Sequence, residues 1–166
     1  MNGAGVSLWI VPEGEARRRL SALIETLARR FGGPVFDPHV TLLAGLAGPA
    51  EDVMTRVRTI RRAPLRLHFT GPEAGTRYFR CLYLRVEPSP SLTALHEAAR
   101  KAFETKDEPP FFPHLSLLYR PPPAPAGIVE QVRDAAPDGF DARRLDVYST
   151  EGGVESWHRV GSLPLG

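Results

Sequence analysis

GGPVFDPHVTLL, at residues 32–43, returns later in the chain in a diverged form, DEPPFFPHLSLL, at residues 107–118. An offset of 75 residues aligns the two stretches without a gap and places His39 on His114. In both stretches a proline precedes the histidine, and a residue with a side-chain hydroxyl follows it two positions later. This repetition indicates an internal duplication, which determines the fold that we expect.

Apolar patterns outside these stretches predict two copies of a β-α-β-α-β unit. Strands are predicted at 6–11, 39–44, 65–69, 78–86, 114–119, 143–149 and 154–161. Helices are predicted at 13–31, 51–62, 91–105 and 127–135. We therefore expect one domain over residues 1–166, made of two pseudo-symmetric repeats at about 6–75 and 78–163. Packing of two such units around a pseudo-twofold axis would bring the two histidines to one central cleft.

The composition is that of a globular protein, with 42% hydrophobic and 24% charged residues among 166. Lys and Arg number 21 against 19 Asp and Glu, so the net charge of +2 creates no strong field for nucleic acid. The single cysteine, Cys81, excludes an intrachain disulfide and a cysteine-rich zinc site. The apolar run at 6–11 is too short for a signal peptide or a membrane span, so we expect a cytoplasmic protein without membrane contact.

The repeated motif carries the chemistry that we expect of the cleft. Side chains two positions apart on a strand share a face, so His39 lies beside Thr41 and His114 beside Ser116. With a pKa near 6.5, one imidazole can accept a proton while the other donates one. The two hydroxyls can donate hydrogen bonds to phosphoryl oxygens without adding charge.

Other chemistries fit this motif less well. No carboxylate accompanies either histidine in a way that favours a Ser-His-Asp triad or a metal site. An isolated His-x-Thr on a strand is usually structural, but packing gives no reason to repeat the polar pair at equivalent places. The residues therefore favour phosphodiester hydrolysis without a metal or cofactor, with His39 and His114 as catalytic residues and Thr41 and Ser116 as phosphate ligands.

PHVTLL and PHLSLLY, with their separation of 75 residues, resemble the signature of the two-histidine (2H) phosphoesterase superfamily. Within it the chain is most similar to plant-type cyclic phosphodiesterases and their bacterial relatives, and the segments SLWIVP, YFRCLYL and ESWHRVGSLPL extend the likeness over nearly the whole chain. The resemblance implies a bilobal α+β fold with an antiparallel sheet in each lobe, outer helices and a central cleft. It also implies metal-independent hydrolysis of nucleoside 2′,3′-cyclic phosphates or ADP-ribose 1″,2″-cyclic phosphate.

The resemblance also implies roles for three aromatic residues. Tyr119 matches a tyrosine of the phosphate pocket, and Trp9 and Phe79 match positions around the substrate base or ribose. The run SLWIV is equally typical of a core strand, so Trp9 has two interpretations.

One position departs from the family pattern. Val35 stands where the plant members carry a basic residue, and either Arg80 or Arg120 could replace that residue in phosphate binding. The sequence does not choose between the two arginines.

Two alternative functions stay open at this point. The first is an RNA-end 2′,3′-cyclic phosphodiesterase of the 2′-5′ RNA ligase-like branch, and the second is a non-catalytic nucleotide-binding module. The small size and weak net charge favour a small cyclic-phosphate nucleotide over RNA ends as substrate. Two complete motifs argue against a module that only binds. We further expect a monomer.

Overall fold

Strands and helices alternate along the chain in the computed structural model, which describes residues 2–3 and 5–166. The strands are β1 (Asn2–Gly3), β2 (Val6–Ile10), β3 (Val40–Leu46), β4 (Leu65–Arg77), β5 (Arg80–Val86), β6 (His114–Leu118), β7 (Gly139–Ala142), β8 (Arg144–Ser149), β9 (Gly152–Gly153) and β10 (His158–Pro164). The helices are α1 (Gly14–Phe31), α2 (Ala50–Val57), α3 (Pro90–Ala102) and α4 (Ile128–Arg133), and a 3₁₀ turn spans Val154–Ser156.

Eight strands form one antiparallel sheet in the order β10-β8-β2-β3-β6-β5-β4-β7, while β1 pairs with β9. At the centre, β3 and β6 meet through the single Cα pair Val40–Leu115. Outward from this pair, β2 stands opposite β5, β8 opposite β4, and β10 opposite β7. The predicted α+β fold with antiparallel sheets is confirmed, and its two four-stranded halves are continuous through the central pair.

Each half of the sheet combines strands from both predicted repeats, 6–75 and 78–163. Strand β4 leaves the half that contains β2 and β3 and pairs with β5 and β7. Strand β8 makes the reverse exchange and pairs with β2. The half with β4, β5, β6 and β7 therefore lies within the continuous segment 65–142, whereas the other half joins β2 and β3 to β8 and β10 from the end of the chain. The two halves meet at β3 and β6, the strands of the histidine motifs.

A glycine brings the first motif close to the end of the second. Gly33 has a φ of +114°, and a Cβ at this position would collide with the carbonyl oxygen of Tyr119. The chain after α1 can therefore pass close to the end of β6, where the ring of Phe36 stacks on that of Tyr119 at 3.6 Å between centroids.

Several predicted elements differ from the structure, and the strand predicted at 65–69 continues as β4 to Arg77. The helix predicted at 51–62 ends at Val57, because the guanidinium of Arg62 donates to the carbonyls of Val57, Arg58 and Ile60. The strand predicted at 154–161 begins as a 3₁₀ turn and becomes a strand only at His158. Strand β7 was not predicted, because four residues carry too little pattern.

No helix within the described residues is both long enough and apolar enough to cross a membrane.

Candidate active site

A cleft of about 620 Å³ opens where the two halves of the sheet meet. Its walls are formed by Ser7, Trp9, His39, Thr41, Ala44, Phe79, His114, Ser116, Tyr119, Thr150 and Trp157. The structure thus brings together all seven residues that the sequence predicted for the site, although their chemical roles remain predictions.

His39 stands immediately before β3, with its ring largely buried. Its Nδ1 lies 2.7 Å from the backbone carbonyl oxygen of Asp37. Because a carbonyl only accepts hydrogen bonds, Nδ1 carries the proton and donates, which leaves Nε2 to act on a substrate. The imidazole stacks on the indole of Trp9, with 3.5 Å between centroids and 7° between planes. Burial lowers the pKa of His39 to about 4; the Asp37 carbonyl opposes this shift and the nearby His114 adds to it.

His114, at the start of β6, repeats the backbone contact in different surroundings. Its Nδ1 lies 2.8 Å from the carbonyl oxygen of Phe112, so the same tautomer is favoured and Nε2 again stays free. The ring is half-buried and meets Tyr83 edge-on at 5.6 Å. Burial lowers the pKa of His114, and the positive charge of Arg80 lowers it further.

The two hydroxyls of the motifs are not in equivalent states. Ser116 is buried, and its Oγ donates to the carbonyl oxygen of Phe79 at 2.6 Å. Thr41, which pairs with Trp9 across β2 and β3, is partly exposed in the cleft, and its hydroxyl makes no hydrogen bond within the described part of the chain. Because a hydroxyl has one proton to donate, Ser116 must release Phe79 before it can donate to a ligand, whereas Thr41 can donate at once.

Aromatic rings form one wall of the cleft. Tyr119 is buried beneath it and meets Phe79 edge-on at 5.1 Å. Burial raises the pKa of the Tyr119 phenol, so that the hydroxyl stays protonated and can donate. The ring centroid of Phe79 in turn lies 5.6 Å from that of Trp157. Such flat apolar surfaces suit a base or a ribose face.

Trp9 belongs to the core and also lines the cleft, while its role toward a substrate stays a prediction. The indole is 2% exposed and is sandwiched between His39 and Tyr148, whose ring lies 3.9 Å away, as in a packed core. It also contributes to the cleft wall. Trp9 therefore holds His39 in place from inside the core.

Sequence reasoning missed four residues that line the cleft: Ser7, Ala44, Thr150 and Trp157. A signal existed for Ser7, because it precedes Trp9 by two positions in a strand and so shares its face. Its Oγ lies 3.1 Å from Oγ1 of Thr150. Trp157 follows the 3₁₀ turn near the end of the chain, and no pattern in the sequence reports its approach to the cleft.

The two candidate arginines have different environments, and neither lines the cleft. Nη1 of Arg120 donates to the carbonyl oxygen of Phe31 at 3.1 Å. The Arg80 guanidinium lies over the ring of Phe112, 4.5 Å from its centroid, near enough to His114 to lower its pKa. Arg80 is thus the better placed for an anion at the histidines.

The described residues contain no group of three or more His, Cys, Asp and Glu side chains that could hold a metal ion. The donors in the cleft are imidazoles, hydroxyls and indoles, and carboxylate ligands for a hard cation are not among its lining residues.

Comparisons with known proteins identify the family. The family model described as cyclic phosphodiesterase-like protein matches residues 3–165. A cyclic phosphodiesterase of Arabidopsis thaliana is 30% identical over 115 residues, which span 68% of this chain and 64% of that protein. A 2′,3′-cyclic-nucleotide 3′-phosphodiesterase of Kluyveromyces lactis is 28% identical over 192 aligned positions, covering 97% of this chain and 88% of that protein.

A solved structure extends the likeness to the fold. Escherichia coli LigT in complex with 3′-AMP superposes with a TM-score of 0.59 at 17% identity and covers 96% of each chain. At this identity the likeness concerns the fold alone. Because the family model matches almost the whole of this chain, the chain belongs to the cyclic phosphodiesterase-like protein family, in the two-histidine phosphoesterase superfamily that its paired motifs resemble.

Proposed function

We propose that this protein hydrolyses small cyclic phosphodiesters, nucleoside 2′,3′-cyclic phosphates or ADP-ribose 1″,2″-cyclic phosphate, with His39 and His114 as a metal-independent acid–base pair. One observation carries the proposal. Both histidines line one cleft, and each Nδ1 is held by a backbone carbonyl so that Nε2 is left for chemistry. Membership in the cyclic phosphodiesterase-like family supports an enzyme of this class.

The environments of the two rings suggest their roles. His39, whose pKa is lowered to about 4, is neutral at neutral pH, and its Nε2 can take a proton from water. The water oxygen then forms a bond to phosphorus as the bond from phosphorus to the ribose oxygen breaks. His114, the less buried of the two, gives its Nε2 proton to that departing oxygen. The anionic substrate favours the protonated form of His114, because it lies beside the ring and offsets the Arg80 charge.

Charge on the phosphoryl oxygens is met mainly by neutral donors. The hydroxyls of Thr41 and Ser116 lie on the same strands as the histidines, and Tyr119 adds a phenol that stays protonated. Such fixed donors stabilise charge that develops in the transition state. Arg80 supplies a positive charge at the edge of the site, on the side of His114.

The expected product is a 2′-phosphate. The Kluyveromyces relative is named a 2′,3′-cyclic-nucleotide 3′-phosphodiesterase, and cleavage of the bond to the 3′ oxygen leaves the phosphate on the 2′ oxygen.

A substrate panel tests the proposal. We would measure kcat/KM for the four nucleoside 2′,3′-cyclic phosphates, ADP-ribose 1″,2″-cyclic phosphate and a short RNA that ends in a 2′,3′-cyclic phosphate. We expect the small substrates to be turned over at least as efficiently as the RNA, with 2′-phosphate products. A tenfold preference for the RNA would replace the proposal with the RNA-end enzyme. Binding without turnover of any substrate would leave the nucleotide-binding module.

A further inference from the structure

A second cavity of about 550 Å³ lies next to the cleft and shares Trp9 and Trp157 with it as a common wall. Its other lining residues are Val35, Phe36, Asp37, Tyr148, Val154 and Glu155. A nucleoside whose cyclic phosphate sits between the histidines could therefore reach this cavity with its base, past the edge of the Trp9 indole.

The walls of this second cavity combine aromatic and aliphatic side chains with polar groups. Tyr148 stacks on Trp9 at 3.9 Å, and Trp157 meets Trp9 at 6.0 Å. Among the described residues, Val35 is the large apolar residue that is exposed, with 56% of its surface accessible to solvent, and it lines this cavity. Because Trp9 is covered by His39 and Tyr148, a base that enters this cavity can pack on the partly exposed Trp157 and on Val35.

The charge of the second cavity excludes a phosphate as its occupant. Two carboxylates, Asp37 and Glu155, lie among its lining residues and no Lys, Arg or His does. Both oxygens of Asp37 are engaged, Oδ1 with Arg17 at 3.1 Å and Oδ2 with the Tyr148 hydroxyl at 2.8 Å. The exposed Glu155 makes no hydrogen bond or ion pair within the described part of the chain, so its two oxygens can accept from a ligand.

We propose that the second cavity is a base subsite in which the Glu155 carboxylate selects guanine. This inference rests on the proposed function. A carboxylate accepts two parallel hydrogen bonds, and guanine is the base that offers two adjacent donors, N1–H and the N2 amino group. Adenine and cytosine each place a ring-nitrogen acceptor beside the amino group, and uracil places its one N–H between two carbonyl oxygens. These bases would leave one carboxylate oxygen facing an acceptor, which is unfavourable.

The first test is a ratio of kcat/KM values for guanosine and adenosine 2′,3′-cyclic phosphates. We expect the wild-type protein to prefer guanosine by about 5- to 150-fold, the range for one good bidentate contact to a base. Glu155→Gln should bring this ratio to one or below, because the amide has one acceptor and one donor group, which match the amino group and ring nitrogen of adenine better than the two donors of guanine. Glu151→Gln is the matched control, since Glu151 is exposed, lies outside both cavities and carries the same charge. It should keep the wild-type ratio.

A binding measurement separates this inference from the proposed function. Isothermal titration calorimetry with guanosine and adenosine 2′-monophosphates reports base preference without turnover. If none of the cyclic substrates is hydrolysed but the guanosine nucleotide binds more tightly and Glu155→Gln removes that difference, the proposed function fails and the base subsite stands. A wild-type preference within twofold of one, or a preference that Glu155→Gln leaves unchanged, overturns the base subsite.

Discussion

The two histidine motifs have the same backbone geometry and different side-chain surroundings. In both, Nδ1 donates to the carbonyl of the residue two positions earlier, at 2.7 Å for His39 and 2.8 Å for His114. His39 is then buried against the face of Trp9, whereas His114 is half-buried, edge-on to Tyr83 and close to Arg80. The repeated sequence thus sets tautomer and position, and the neighbours, which are not repeated, set proton affinity. In the proposed mechanism this difference is what would let two like residues serve as base and acid.

The largest expected effect is loss of either histidine. His39→Ala and His114→Ala should each lower kcat/KM by about 10²- to 10⁴-fold, because each removes one proton transfer. The double variant should lose much less than the product of the two effects, since the residues act as a unit.

His158→Ala is the control for these variants, because His158 is exposed and lies outside the cleft. Circular dichroism should show that all four proteins are folded. Equal loss of activity in the His158 variant would contradict the assignment.

The second largest expected effect is on the pH dependence of the free energy of unfolding. His39 has a folded-state pKa of about 4, below the value near 6.5 of an unfolded chain, so acid favours the unfolded state. The contribution of neutral His39 is fully present above pH 6.5, and about 3 kcal/mol of it is lost as the pH falls to 4. The free energy of unfolding, measured with urea at pH 7 and at pH 4, should therefore fall less for His39→Gln than for the wild-type protein.

His114→Gln serves as the comparison within the molecule. The half-buried ring of His114 should show the same sign and a smaller effect. Identical pH dependence of stability in the wild-type protein and His39→Gln would show that His39 titrates normally, and the contrast between the two motifs would be lost.

The third effect separates the two hydroxyls. Thr41→Ala should lower kcat/KM by about 10- to 100-fold, because it removes a donor with no other partner in the described residues. Ser116→Ala should cost less than Thr41→Ala, since the Ser116 proton is already donated to Phe79. Thr41→Ser, which keeps the hydroxyl, should retain most of the activity. A larger loss for Ser116→Ala than for Thr41→Ala would reverse this assignment.

The smallest effect concerns the pH profile of kcat/KM. We expect a bell with an acid limb near pH 4, from the base His39, and an alkaline limb below 6.5, from the acid His114. Arg80→Gln should move the alkaline limb upward, because it removes the charge that opposes protonation of His114. Arg120→Gln should leave that limb in place. A flat profile from pH 5 to 9 would contradict the acid–base pair.

Repetition made the site predictable from the sequence. The offset that aligns His39 with His114 also predicted that they would share a cleft, and period two along each strand added the hydroxyls. The asymmetry could not be predicted, because it comes from contacts between distant segments. Trp9 on His39 depends on the register of β2 against β3, and Trp157 lies between the 3₁₀ turn and β10, far along the chain from the two motifs.

For the fold too, the sequence predicted the local elements and not the contacts between distant segments. Local apolar patterns predicted most strands and helices, but not that β4 and β8 would exchange between the two halves of the sheet. The place of β8 depends on pairings such as Leu8 with Val147, which join segments far apart in the sequence. The four-residue strand β7 exists only because β4 offers it an edge.

The most direct test of the central claim is phosphorus NMR of a nucleoside 2′,3′-cyclic phosphate incubated with the wild-type protein in EDTA. The two-histidine mechanism predicts that the cyclic phosphate signal is replaced by that of a 2′-monophosphate, and that neither His39→Ala nor His114→Ala produces this change. A folded wild-type protein that leaves the cyclic phosphate intact, or that converts it only after a divalent metal is added, would contradict the account.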